Sequence, residues 1–184
     1  MNGRLTSQQL VRLRSLLQMA EAELYYLSRT NSRLFGVPFT VEQVGQLPYD
    51  DELAERVDAF VARFGRLQDT VGDKLLPAFL MVTAEKLGTA LENFDRAEKL
   101  GLIRSADTWL AVRKLRNRMI HEYVDEPSEL QNALIAAHQN ITVLAEALAN
   151  IKERLLGLFP ELAALEPLFS NTTHTGDSCK SLKP

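Results

Sequence analysis

Residues 127–155, PSELQNALIAAHQNITVLAEALANIKERL, decide the fold class. Leu130, Leu134, Ala137, Ile141, Leu144, Leu148, Ile151 and Leu155 recur at alternating steps of four and three, which places them on one face of an α-helix. Pro127 suits the first turn of that helix, where its missing N–H has no intrahelical partner to lose. A seam this long must pack along a neighbour over its whole length, either within the chain or in a second subunit.

The same period extends towards the N-terminus. Leu10, Leu13, Leu17, Ala20, Leu24 and Leu27 form an apolar face on a first helix that starts near Thr6 or Ser7. Leu53, Val57, Phe60, Phe64, Leu67 and Val71 do so on a second, which starts near Asp50 or Asp51 and is expected to break or kink at Pro77. A third helix is expected over 83–100, closed by Gly101, and a fourth runs from a Ser105 cap through Trp109 towards His121. Gly36, Pro38, Gly45 and Pro48 punctuate residues 31–50, which read as an irregular connection with one helical turn after Thr40, and as a candidate flap. Strand signals are nearly absent. The expectation is an all-α protein, an antiparallel bundle of four or five helices over residues 1–157. Residues 158–184 read as a short appended helix (Phe159 to Phe169) and a polar, disordered tail.

Composition narrows the function. Apolar residues make up 46% of the 184 and charged residues 24%, the balance of a soluble globular chain. A net charge of −3 argues against a nucleic-acid binder that uses its whole surface, so any RNA contact must be local. The single cysteine, Cys179, excludes an intrachain disulfide and a cysteine-based zinc site. No signal peptide or membrane-spanning run is evident, so the default location is cytoplasmic. No metal or cofactor is expected.

The chemistry concentrates in residues 109–123, WLAVRKLRNRMIHEY. Arg113, Lys114, Arg116 and Arg118 form the densest basic cluster of an acidic chain, with Asn117 inside it and His121 and Tyr123 beyond. Arg113, Asn117 and His121 are four apart and stack in one column. Arg116, five before His121, lies about 140° around an ideal helix from it. The two converge only if the arginine reaches around, the helix bends, or a second chain completes the site across a two-fold axis. Such a cleft suits phosphodiester cleavage: a histidine as general acid or base, an arginine for phosphate charge, and the RNA 2′-hydroxyl as nucleophile. Taken singly, His121 reads as an ordinary surface or structural histidine and the basic run as a solvated helix face. Trp109 reads as core, His138 as structural, and Tyr25 and Tyr26 as half-buried or interface positions.

Arg116, four residues, His121, one residue, Tyr123 resembles the Arg-x4-His-x-Tyr signature of HepT-type HEPN proteins, and Asn117 after the arginine matches its usual Arg-Asn form. Gly101, Leu102 and Ile103 upstream, Trp109, and the long helix downstream agree, so the resemblance covers about residues 5–155. It implies a helical bundle that dimerises with its motif helices face to face. It also implies metal-independent RNA cleavage as a toxin, with Arg116 and His121 catalytic and Asn117 and Arg113 supporting. A minimal nucleotidyltransferase antitoxin is the implied partner, able to transfer AMP to Tyr123. The competing expectations are a non-catalytic module that binds the nucleotidyltransferase and is modified at Tyr123, and a structural or regulatory helical protein in which the motif only shapes a dimer.

Overall fold

The computed structural model describes residues 4–121 and 127–164, and every regular element among them is helical. Helix α1 spans Ser7–Leu34, α2 Val41–Gln46, α3 Asp51–Asp69, α4 Leu76–Val82, α5 Ala90–Lys99, α6 Ala106–His121 and α7 Pro127–Leu158. Thr70–Leu75 joins α3 to α4 as a π-helical turn, and Pro160–Ala164 adds a 3-10 turn after α7. Side-chain caps set most of the starts. Thr6, Thr40 and Thr89 each accept from the backbone N–H three residues on, while Gln9, Gln43 and Glu92 reach back to complete capping boxes. Asp50 accepts from the Leu53 N–H at 2.9 Å.

The seams read from the sequence are the buried faces. On α7 all eight seam residues are buried, and the helix packs against α6, α2, α1 and α3, so its partners lie within the chain. On α3, Val57, Phe60, Phe64 and Leu67 are fully enclosed. Each such side chain contributes roughly 1.5–3 kcal/mol through removal from water. One continuous apolar core runs through all seven helices.

Helix α3 lies between α1 and α6. Against α1 it runs antiparallel: Arg63 donates to the Tyr26 carbonyl and the Thr30 hydroxyl, and about two turns further on Thr70 meets Met19. It runs antiparallel to α6 as well, with Gly65 beside Arg116 and Gly72 beside Trp109.

Two local expectations are corrected, and a third is narrowed. Of the break or kink expected at Pro77, the break does not occur. The π turn absorbs the missing N–H, with Leu76 donating five residues back to the Val71 carbonyl, and the rod continues to Val82. Residues 83–89 are not helical. Helix α4 closes there with Ala84 in the left-handed region at φ 58° and Glu85 N–H bonded to the Leu80 carbonyl, and α5 begins only after the Thr89 cap. The connection over 31–50 is shorter and better anchored than a flap. Helix α1 runs on to Leu34, Phe39, Val44 and Leu47 are buried, and Gln131 of α7 donates to the Phe39 carbonyl at 2.8 Å. His138 stacks on Phe35 with ring centroids 4.4 Å apart and bonds Asn31 through Nδ1 at 2.7 Å, a structural role. The turn at Gly101, with φ 70°, closes α5 as expected. The expectation of a disordered tail falls outside the described residues.

Candidate functional site

Two glycines bring α6 close to α3. A Cβ on Gly72 would stand 2.9 Å from Trp109 Nε1, and one on Gly65 would stand 3.3 Å from Arg116 Cγ and Nε. Trp109, Val112, Leu115 and Met119 are buried, which fixes the roll of α6 about its axis. That roll decides where the basic residues go. Arg113 and Arg116, three apart, both turn towards α3. Arg113 binds Asp73 at 2.8 Å, and Arg116 approaches Asp69 at 3.6 Å. Asn117 and Lys114 are exposed, and Arg118 pairs with Glu129 of α7 at 2.9 Å.

Of the column expected from spacing, Arg113 is held by the Asp73 carboxylate of the π turn, while Asn117 is exposed. His121 is the last residue of α6, five beyond Arg116 and so roughly 7.5 Å further along the axis. The readings of its imidazole and of Tyr123 fall outside the described residues.

Arg116 borders an open groove of about 510 Å³ between α3 and α6. Its other walls include Asp58, Gly65, Arg66, Asp69 and Met119. Arg66 is exposed and, among the described residues, makes no ion pair within contact distance, in contrast to Arg113 and Arg118. The groove thus holds two guanidiniums, one loosely paired with Asp69 and one exposed, and this combination can grip an anion such as a phosphodiester. Asp58, Arg66 and Asp69 were not anticipated from the sequence. The available signal was the pair Gly65 and Gly72, seven residues apart on a helix, a spacing that lets a neighbouring helix approach closely along one face.

Beside the groove, on the α1 side of α3, lies Glu23. Burial pushes its carboxyl above the ordinary glutamate range, against the opposing pull of the Thr70 hydroxyl, Lys74 and Arg66. Among the described residues, the buried Gln68 carboxamide and Trp109 indole N–H find no hydrogen-bond partner.

No protein-family model, curated protein or solved structure matches the chain. The site is read from its own residues. Among the described residues, no group of three or more His, Cys, Asp or Glu side chains is arranged to hold a metal ion, and no helix is long and apolar enough to cross a membrane.

Proposed function

We propose that this chain is a HEPN-type ribonuclease that cleaves RNA without a metal, the toxin of a pair whose antitoxin is a minimal nucleotidyltransferase. The observation that carries the reading is the placement of Arg116 at an open groove beside Arg66, on a helix that ends at His121 with Arg-x4-His-x-Tyr spacing. In the reaction, His121 takes the proton of the ribose 2′-hydroxyl and a 2′-O–P bond forms. The P–O5′ bond breaks, the 5′-oxygen is protonated, and a 2′,3′-cyclic phosphate remains. Arg116 neutralises the added charge on the pentacoordinate phosphate. Since Arg116 and His121 lie about 140° apart on an ideal helix, a homodimer with the two copies of α6 face to face provides the way to complete each site. In this reading the four long helices α1, α3, α6 and α7 correspond to the expected bundle.

A second reading has one observation in its favour. Carboxylates already hold Arg113 and Arg118, which reduces the positive charge open to RNA. In that reading the bundle docks the nucleotidyltransferase and accepts AMP on Tyr123 without cleaving RNA.

The test is cleavage of a short RNA in EDTA by wild type, His121→Ala and Arg116→Ala. Wild-type cleavage that falls by roughly 10²–10⁴-fold in His121→Ala, with the fold intact, is the expected result. Equal cleavage by all three sinks the ribonuclease reading. No cleavage by folded wild type, with an AMP adduct on Tyr123 after co-expression with an active nucleotidyltransferase, establishes the second.

A further inference from the structure

Across α3, on the side facing α1, lies a strip of aromatic and guanidinium groups that the Arg-x4-His-x-Tyr motif does not include. Arg63, three residues before Arg66, sits with its Cζ 5.8 Å from the centroid of the Tyr26 ring. It is anchored there by its bonds to the Tyr26 carbonyl and the Thr30 hydroxyl. Tyr25 packs edge-on to Tyr26 at 5.4 Å and 72°. Arg29 lies 5.6 Å from the Tyr25 ring centroid and donates to its hydroxyl at 2.9 Å. Tyr25 and Tyr26 nevertheless remain 40% and 46% exposed.

We infer that this strip, running from Arg116 through Arg66 and Arg63 to Tyr26 and Tyr25, is the track for the single-stranded RNA that flanks the cleaved phosphodiester. The inference rests on the ribonuclease reading above. Three physical points support it. Single-stranded RNA is bound chiefly by stacking of its bases on aromatic rings and guanidinium planes, with phosphates held by arginine, and both kinds of group are present here, arginines towards the groove and the two tyrosines at the far end. Each exposed tyrosine is already fixed by an arginine, so little side-chain freedom is lost on binding. The length is also suitable: α6 and α1 flank α3, and two interhelical spacings of about 8–10 Å each span a few nucleotides. The carboxylates along the way are Asp58 and Asp69 in the groove and Glu23 beside Arg66. Asp69 is engaged with Arg116 and Glu23 is half-buried, so of the three Asp58 alone is exposed beside the track.

The competing occupant of exposed tyrosines on α1 is a second copy of this chain. One experiment separates the possibilities. A fluorescein-labelled, single-stranded 2′-O-methyl RNA, which cannot be cleaved, is titrated by anisotropy with wild type, Tyr26→Phe, Tyr26→Leu, Arg66→Ala and Lys86→Ala. Light scattering and circular dichroism are recorded on each. Tyr26→Leu and Arg66→Ala are each expected to weaken binding by roughly tenfold, the effect of losing one stacked base or one phosphate contact. Tyr26→Phe, which keeps the ring, and Lys86→Ala, outside the strip, should bind as wild type does. Wild-type binding with unchanged affinity in both Tyr26→Leu and Arg66→Ala overturns the track and leaves the ribonuclease reading standing. The same unchanged affinity with a shift from dimer to monomer in Tyr26→Leu overturns it in favour of a subunit contact. A folded wild type that neither binds this probe nor cleaves RNA removes both readings.

Discussion

Glu23 shows how one side chain can report on the crowded edge where α1 meets the π turn. Burial holds its carboxyl above the ordinary glutamate range, so the folded protein binds that proton more tightly than the unfolded chain does. Stability linked to the proton is fully present below the unfolded-state value and is lost as pH rises through the raised folded-state value. Glu23→Gln mimics the protonated form. Its Tm should therefore exceed that of wild type at neutral pH, and the gain should vanish in acid, where wild type is itself protonated. Thermal melts across that range decide it: equal Tm values at neutral pH, or a gain that persists in acid, contradict the account. Of the expected site residues, Arg116 was legible as a residue with a role, because its spacing to His121 and Tyr123 is written in the chain. Its partner Arg66 was not, because nothing in the run RFGRLQD over 63–69 reveals which helix will lie across it.

Among the elements, the contact between α3 and α6 matters most, since it sets the groove. It depends on two positions where no side chain intervenes. At Gly72 an added methyl meets the Trp109 indole, a rigid ring that is 1% exposed and has no room to retreat. Gly72→Ala is expected to destabilise the protein by roughly 1–3 kcal/mol through overpacking. In urea unfolding this appears as a lower midpoint at unchanged slope. A midpoint equal to that of wild type would mean that α6 is not seated on α3 as described. The apolar periods predicted α1, α3 and α7 well, because each buries one continuous stripe. They failed at 83–89 for a local reason: an alanine occupies the left-handed closing position where a glycine would have announced the end of α4. At Pro77 a π turn decided between the break and the kink that the sequence left open.

For the whole molecule, the net charge of −3 turns away nucleic acid except where the charge is locally reversed. If RNA follows the strip, its phosphates meet about four arginines (Arg29, Arg63, Arg66 and Arg116). The plot of log affinity against log salt should then have a slope of about −3, from the usual −0.7 per neutralised phosphate on a single strand. A KCl series with the uncleavable probe measures it. A slope near zero would exclude phosphate contacts, and one steeper than about −6 would require a wider surface than the strip. By itself the sequence determined the all-helical class, the seams that make the core and the location of the Arg-x4-His-x-Tyr run, because each is a matter of spacing along one chain. Only the tertiary structure decided that Arg113 is spent on Asp73 and that Arg116 opens into a groove with Arg66. It alone aligned the tyrosines of α1 with the arginines of α3. Those outcomes depend on how far each helix is rolled about its axis, and that roll is set by glycines and buried rings on neighbours many residues away in the chain.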